Sequence, residues 1–245
     1  MLGLHFDTPH GTPLRILCLG AHCDDIEIGC GGTLLRLLEE RPDASVHWVV
    51  FSSTPERKKE ALGGAELFLA GVREKHVTIH DFRDSCFPYV SLDIKDAFER
   101  LKREVAPDVI FTHFRQDLHQ DHAFISQLTW NTFRNHLILE FEIPKYDGDF
   151  GTPNFFVPLE GRHCERKIRF ILDTFVSQVG HQWFSADVFM SALRLRGVES
   201  NAPERCAEAF YCRKVVFTPM SAARPAAALS EKSEPIPLDD PSKAA

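Results

Sequence analysis

The feature that most constrains the fold is an alternation of short apolar runs with helix-like segments in the first half of the chain. Each run has the length and the apolar or β-branched content of a buried strand. The four runs are Arg15 to Leu19, Val46 to Phe51, His76 to Ile79 and Asp108 to Thr112. Strands that are joined by helical crossovers lie parallel to one another. The sequence therefore predicts an α/β fold with a doubly wound, mostly parallel sheet.

Two of the intervening segments carry clear helix signals. Ser91 to Arg103 is predicted as a helix with a serine cap, since its apolar residues recur at the spacing i, i+3, i+4, i+7. These residues are Ile94, Ala97, Phe98 and Leu101. A second helix is predicted to begin at Pro55, because Thr54 is a suitable cap and proline fits the first helical position.

The alternation breaks after residue 135, and the second half is predicted from individual segments. The predicted elements are strands at Leu137 to Ile143, Asn154 to Val157 and Val215 to Phe217, a helix at Glu165 to Phe175, and a loop at Lys145 to Pro153. Ala, Pro, Ser and alternating charges from Ala222 onward are typical of a disordered tail. The predicted organisation is an N-terminal extension over 1–13, one α/β domain over 14–220, and a tail over 221–245.

Composition excludes several classes of protein. With 245 residues, 44% of them hydrophobic and 26% charged, the chain has the size and composition of one globular domain. The net charge of −7 argues against a nucleic-acid partner, which requires a basic face, and against an acidic membrane surface. No secretory signal or membrane-length apolar run is apparent, so no membrane insertion is expected. Seven scattered cysteines without a C-x-x-C pair predict reduced thiols in the cytoplasm.

The first polar motif directly follows the first predicted strand. The segment Gly20 to Asp25 reads GAHCDD, which places His22, Asp24 and Asp25 at the carboxyl end of that strand. Open α/β sheets bind their ligands at this edge, and the following glycines (Gly29, Gly31 and Gly32) are expected to let the backbone approach a bound group. Two aspartates alone would fit an ordinary helix cap, but the adjacent histidine favours a functional site.

The second polar motif follows the fourth predicted strand. Six polar or charged residues occur within a dozen positions: His113, Arg115, Asp117, His119, Asp121 and His122. Helical spacing places His119 and His122 on one face. Because the carboxyl ends of parallel strands share one edge of the sheet, the two motifs are predicted to form one site.

Imidazoles and carboxylates together are the usual ligands and proton carriers of metallohydrolases. Two imidazoles and one carboxylate with open positions would hold Zn²⁺, or alternatively Fe²⁺. Zinc lowers the pKa of a bound water to about 7, and a nearby aspartate can take the proton during attack on a carbonyl. This is the chemistry of amide or ester hydrolysis. The spacing leaves open which histidine binds the metal and which transfers a proton.

The segments Ala21 to Asp25 and Asp117 to His122 resemble the paired signatures of the PIG-L/LmbE-like zinc-dependent de-N-acetylases. The resemblance extends more loosely to Thr54 to Gly71, to Ser177-Gln178, and from Arg196-Gly197 to Ala207-Glu208-Ala209-Phe210. It implies a Rossmann-like fold and removal of an acetyl group from an N-acetylglucosamine-type sugar or its conjugate. The implied partner is thus a small-molecule substrate, while the carrier of the sugar and the oligomeric state, including a homo-oligomer, stay open.

The resemblance also implies roles for individual residues. His22, Asp25 and His122 would be the metal ligands, and Asp24 the general base. His119 would stabilise the oxyanion or protonate the leaving amine.

Further site residues are predicted with less distinctive signals. Asp121 is grouped with the catalytic residues and Asp117 with the substrate-binding ones, although either could orient an imidazole. Arg57 is a candidate for contact with substrate hydroxyls, and an exposed charge pair with Glu60 is the alternative. His181 is a candidate for the wall of the site, and simple packing beside Trp183 is the alternative.

The loop at Lys145, Tyr146, Asp147 and Asp149 could likewise contact sugar, or be an ordinary polar surface loop.

Two residues depart from the family pattern. Cys23 stands where a proline usually lies between the histidine and the aspartates, and Cys206 stands where a tyrosine often precedes Ala-Glu-Ala-Phe. If that tyrosine binds the carbonyl oxygen in relatives, its loss removes a donor. The alternatives are therefore a metal- or sugar-binding module with impaired catalysis, another metal-dependent hydrolase, or an iron oxygenase. A thiol hydrolase based on Cys23 is disfavoured because neighbouring carboxylates raise the pKa of a thiol.

Overall fold

A seven-stranded mixed sheet organises the chain in the computed structural model, which describes residues 3–6, 8 and 12–216. The strands are β1 Arg15–Gly20, β2 Ser45–Ser52, β3 Glu74–Phe82, β4 Val109–His113, β5 Leu137–Phe141, β6 Phe155–Pro158 and β7 Ala207–Cys212. They lie in the order β3-β2-β1-β4-β5-β7-β6. The first five run parallel, and β7 runs antiparallel to both of its neighbours. The predicted mostly parallel α/β fold is confirmed.

Six α-helices connect or flank these strands within the described residues. They are α1 Asp25–Glu40, α2 Pro55–Phe68, α3 Ser91–Glu104, α4 Gln120–Thr132, α5 Gly161–Thr174 and α6 Ala186–Glu199. Short 3₁₀ turns cover Phe87–Val90 and Val176–Gln178. None of the helices in this part of the chain is long and apolar enough to cross a membrane.

The helices cover both faces of the sheet, as a doubly wound fold requires. Alternate residues of β1 point to opposite faces: Leu17 and Leu19 pack with α3 and α4, and Ile16 and Cys18 pack with α1, α2, α5 and α6. The helix after β1 and the helix after β4 thus leave the sheet on opposite sides. A crevice forms between the carboxyl ends of these two neighbouring strands, where open α/β sheets bind ligands. Both polar motifs begin at this crevice.

Local signals were correct for one helix start and wrong for another. Thr54 caps α2, because its hydroxyl oxygen accepts a hydrogen bond from Arg57 N at 3.3 Å. The predicted serine cap of α3 is wrong. Ser91 already has helical backbone angles, and the 3₁₀ turn before it leads directly into α3 with Val90 in the cap position.

The predicted closing strand at Val215 to Phe217 is also wrong. Val215 and Val216 are not in a strand, and Phe217 lies outside the described residues. The last strand along the described chain is β7, which lies between β5 and β6. The sequence of β7, AEAFYC, contains a glutamate that is buried in the structure. Glu208 accepts hydrogen bonds from Lys167 Nζ at 2.6 Å and from Gly32 N at 2.8 Å. Because this buried, paired glutamate interrupts the apolar run, the sequence lacks the pattern from which the strand could have been predicted.

The glycines after the first motif lie inside α1 and serve packing. A Cβ atom on Gly29 would overlap the Phe141 ring, and one on Gly31 would meet Phe68 at 2.5 Å. One on Gly32 would meet Leu159 at the same distance. The expectation that these glycines approach a bound group is therefore wrong. They allow α1 to lie close to the sheet and to its neighbouring helices.

This packing predicts opposite effects for two glycine-to-alanine substitutions. Alanine favours a helix over glycine by about 1 kcal/mol, but Gly29→Ala also forces the Phe141 ring to move, which costs about 1–3 kcal/mol. Gly29→Ala should therefore lower the free energy of unfolding. Gly63→Ala in α2 should raise it, since its Cβ would meet only Thr174 at 3.7 Å. Urea unfolding of both variants measures the difference; equal stabilisation by both would contradict the packing account.

The predicted tail over 221–245 lies outside the described residues, as do six of the thirteen residues of the predicted extension over 1–13. The domain boundaries at 14 and 220 therefore stay predictions.

Candidate functional site

The two polar motifs meet at the carboxyl ends of β1 and β4. His22 follows β1, and His122 lies in the first turn of α4, which follows β4. Their facing nitrogens, His22 Nδ1 and His122 Nε2, are 3.1 Å apart. The topology thus brings together residues that are one hundred positions apart in the chain.

Asp25 completes a triangle of donor atoms with these two histidines. Its Oδ2 lies 3.4 Å from His22 Nδ1, and its Oδ1 lies 3.5 Å from His122 Nε2. Metal bonds of about 2.1 Å at tetrahedral angles separate ligand atoms by about 3.4 Å. The three side chains therefore have the spacing of a ligand set before any rearrangement.

Asp117 orients His122. Its Oδ2 lies 3.0 Å from His122 Nδ1, which therefore donates its proton to the carboxylate and leaves the lone pair of Nε2 facing His22 and Asp25. Burial disfavours the charged carboxylate, but the contact with His122 lowers the pKa of Asp117 to about 2. Burial and the neighbouring His113 lower the pKa of His122 to about 4. A neutral His122 held in this tautomer is suited to bind a cation.

His113, at the end of β4, packs beneath the triangle. It is fully buried, and its ring stacks on that of His122 with 4.0 Å between centroids. Its Nε2 lies 2.9 Å from Ala21 N, which donates a hydrogen bond to it, and 3.1 Å from Asp25 Oδ2. By distance alone His113 could also bind a metal together with Asp25 and His122. Because Ala21 already occupies its lone pair, we assign it a supporting position.

Asp24 lies beside the triangle and is paired with Arg57. The guanidinium donates to Asp24 Oδ1 at 2.9 Å, while the buried Oδ2 has no hydrogen-bond partner among the described residues. Burial, together with the adjacent Asp25, raises the pKa of Asp24, and Arg57 opposes this rise. The side chain thus keeps one oxygen fixed and one oxygen available. Arg57 therefore contacts Asp24 of the first motif. Its Nε also lies 4.0 Å from Glu60 Oε2.

His119 caps α4 and stands at the edge of the triangle. Its Nδ1 accepts a hydrogen bond from Asp121 N at 3.3 Å, so that a neutral ring carries its proton on Nε2. The ring stacks on His122, 4.5 Å between centroids, and meets the His22 ring edge-on at 4.9 Å. His119 therefore offers a proton donor close to the triangle of His22, Asp25 and His122.

The carboxylate of Asp121 contacts the backbone of the loop after β3 and also lies near His22. It is fully buried and accepts hydrogen bonds from Ser85 N at 2.7 Å and Phe87 N at 3.1 Å. These bonds fix the loop after β3, in which Ser85 has a φ of 59° that non-glycine residues rarely adopt. His22 Nε2 lies 3.5 Å from Asp121 Oδ2.

The fixed loop presents Asp84, a site residue that the sequence analysis did not identify. Asp84 Oδ1 lies 3.0 Å from His22 Nε2, and proximity to His22 lowers the pKa of Asp84 to about 2. Although burial opposes it, the carboxylates of Asp25, Asp121 and Asp84 together raise the pKa of His22 well above its ordinary value. An exposed aspartate three positions before the start of a 3₁₀ turn carries no local sequence signal, so only the tertiary contact reveals it.

His181 lies apart from these residues. Its ring stacks on Trp183 with 5.9 Å between centroids, and its backbone bonds to Gln178 and Phe184. Within the described residues it has no hydrogen bond, ion pair or ring contact with either motif. Its role as a wall of the site stays a prediction.

Comparison with known proteins identifies the family. A family model described as GlcNAc-PI de-N-acetylase, PIG-L, matches residues 17–133, which include both motifs. A deacetylase of Escherichia coli (strain K12), named YaiS and described as uncharacterized, is 32% identical over 141 residues, covering 53% of this chain and 74% of that protein. The chain belongs to the PIG-L family.

Solved structures share the fold of this PIG-L family member. The N,N'-diacetylchitobiose deacetylase of Pyrococcus horikoshii matches with a TM-score of 0.59 and 20% identity, over 80% of this chain and 82% of that one. GalB, the 4-carboxy-2-hydroxymuconate hydratase of Pseudomonas putida KT2440, matches with a TM-score of 0.62 and 16% identity, over 85% and 100%. At these identities the likeness establishes the fold alone, and the fold serves proteins of different reaction classes.

The first departure from the PIG-L pattern, Cys23, is a buried packing residue. Its thiol donates to Ser52 O at 3.2 Å, and burial raises the pKa of the thiol to about 12. A thiol with that pKa is not a thiolate nucleophile at neutral pH. The geometry thus argues against the thiol-hydrolase alternative.

The second departure, Cys206, lies in the core directly before β7. It is 1% exposed, and Cys164 of α5 is in contact with it. Cys206 makes none of the polar contacts described above for the two motifs. Cysteine at this position therefore removes no donor from the triangle and its neighbours in this structure.

Proposed function

We propose that this PIG-L family member is a zinc-dependent hydrolase that removes the N-acetyl group from an N-acetylglucosamine-type sugar or its conjugate. The observation that carries the proposal is the triangle of His22, Asp25 and His122, with an unpartnered Asp24 oxygen beside it. Family membership and the deacetylase relatives support the same reaction. The hydratase neighbour has the fold but does not by itself favour a second function.

His22, Asp25 and His122 would hold the metal, with Fe²⁺ as the alternative to Zn²⁺. The donor set fits, because Asp117 fixes the tautomer of His122 and Asp25 lies among three imidazoles. Burial opposes the charged form of Asp25, but these imidazoles hold its pKa well below the ordinary value. When bound, zinc supplies a Lewis acid that polarises a carbonyl and lowers the pKa of a water to about 7.

Asp24 acts as general base in this proposal. Arg57 occupies Oδ1, so Oδ2 is the atom that accepts the proton of the attacking water. A carboxylate whose pKa is raised by burial is a better proton acceptor than one in water. In this proposal Arg57 keeps the base charged and oriented, and its contact with substrate hydroxyls stays a prediction.

His119 supplies the acid. Its Nε2–H can donate to the developing oxyanion or to the nitrogen of the breaking amide bond, because Nδ1 is already occupied by Asp121 N. Water oxygen then joins the acetyl carbon, the C–N bond breaks, and the products are acetate and the free amine. Asp121 contributes by holding the loop of Asp84 against His22.

The substrate class follows from the relatives and stays a proposal. A de-N-acetylase that acts on GlcNAc-PI gives the family its description, and one structural neighbour is named for N,N'-diacetylchitobiose. A small amino-sugar compound is thus the proposed substrate. Seven free thiols are compatible with the proposed cytoplasmic location.

The test is acetate release from a panel of free N-acetylglucosamine, diacetylchitobiose and an aryl N-acetylglucosaminide. Zinc-loaded protein should release acetate and an equal amount of free amine from at least one compound. A chelator should abolish release, and added Zn²⁺ should restore it. Metal or sugar binding without acetate release from any compound would support the impaired-module alternative, and release that survives the chelator would contradict the metal requirement.

A further inference from the structure

Lys145 makes three close contacts with carboxylate oxygens beside the metal triangle. It lies in the loop after β5, and its Nζ is 3.0 Å from Asp117 Oδ2 and 2.6 Å from both oxygens of Asp149. Its side chain is 10% exposed, and those of Asp117 and Asp149 are 2% and 7% exposed. A lysine so enclosed is not free to reach a sugar, which was one of its predicted roles.

These contacts join two loops at the site. Asp149 Oδ2 also accepts a hydrogen bond from Leu118 N at 2.8 Å, and Asp117 Oδ1 accepts one from His119 N at 2.8 Å. We call Lys145, Asp149 and Asp117 the clasp. The clasp holds the segment that carries His119 from both sides.

The clasp ends on a proposed metal ligand. Asp117 Oδ2 is shared between Lys145 Nζ and His122 Nδ1, each at 3.0 Å. Lys145 is the cation that lies between the two enclosed carboxylates. Without it, two neighbouring negative charges would remain with little solvent, and buried charges that lose their partner rearrange or destabilise the structure.

We propose that Lys145 is a positioning residue for the metal site, which it serves by fixing the Asp117 carboxylate that orients His122. The inference rests on the proposed role of His122 as a metal ligand. Loss of Lys145 would release Asp117 to turn toward solvent, and His122 would lose the acceptor that sets its ring and tautomer. Partners of this kind typically contribute 10–100-fold to metal affinity.

A double-mutant cycle on metal affinity tests this coupling. The Kd for Zn²⁺ is measured by competition with a chelating dye for wild type, Lys145→Met, Asp117→Asn and the double variant. Lys145→Met should weaken binding by about 10-fold or more. In the Asp117→Asn background Lys145→Met should have no further effect, since it acts through Asp117. Lys145→Arg, which keeps the charge, should recover part of the affinity.

Lys95→Met is the matched control. Lys95 also pairs with a carboxylate four residues along, Glu99, at 2.6 Å, but on the partly exposed surface of α3. The Lys95→Met substitution removes the same charge as Lys145→Met and should leave the affinity for zinc unchanged. If Lys145→Met does not fold, Lys145→Gln makes the same charge change with a polar side chain.

The outcomes separate this inference from the proposed function. If wild type and Lys145→Met bind zinc equally well, the role of Lys145 is overturned while the metal site stands. Fully additive losses of affinity in the double-mutant cycle would have the same meaning. Wild type that binds no zinc would overturn the metal site and this inference together.

Discussion

Asp24→Asn is expected to lower kcat for acetate release by about 10²–10⁴-fold, the usual contribution of a general base. The amide keeps the size of the carboxyl group and can still accept a hydrogen bond from Arg57 on its oxygen. It cannot take a proton from water. Zinc content should stay at the wild-type level, because Asp24 is outside the proposed ligand triangle.

Steady-state rates and metal content of the same preparations measure this effect. Asp96→Asn, on the exposed surface of α3, controls for the loss of one negative charge and should keep wild-type kcat. Near-normal turnover by Asp24→Asn would remove Asp24 from the role of base. Loss of zinc along with turnover would instead move Asp24 into the metal site.

The parallel half of the sheet could be predicted largely because three of its five strands are buried on both faces. Such strands are continuous apolar runs, and β1, β2 and β4 are of this kind. The alternation of these runs with helices then predicts helical crossovers between parallel strands. It also places both polar motifs at one edge of the sheet, so the location of the site could be predicted with the fold.

The last strand could not be predicted in the same way. β7 contains Glu208, whose carboxylate is satisfied by Lys167 from α5, forty-one positions earlier in the chain. Single-sequence patterns do not contain such long-range pairs. The prediction of Ser91 as the cap of α3 was wrong for a local reason, because the preceding 3₁₀ turn had already begun the helical path and Ser91 is the first residue of the helix.

Within the site, residue types could be predicted better than partners. Histidines and aspartates after strands predict candidate ligands and proton carriers from their chemistry alone. Which carboxylate orients which imidazole depends on tertiary contacts: Asp117 reaches His122, whereas Asp121 reaches the backbone of Ser85 and Phe87. Asp84 and Lys145 come from loops whose sequences resemble any polar surface loop, so their place could only be found from contacts.

The second large effect is loss of metal in the His22→Ala/His122→Ala variant. Two of the three triangle atoms disappear in this variant, and a single remaining carboxylate does not hold zinc against dilution during purification. The matched control is His47→Ala/His76→Ala. That pair also stacks, at 4.5 Å between centroids, but on β2 and β3 outside the two motifs.

Metal content per chain is the measurement that tests the central claim most directly. Protein purified without chelator and analysed by mass spectrometry should contain about one zinc per chain in wild type and in the control pair, and none in His22→Ala/His122→Ala. Wild type that lacks metal even after reconstitution with zinc, or a double variant that keeps it, would contradict the account.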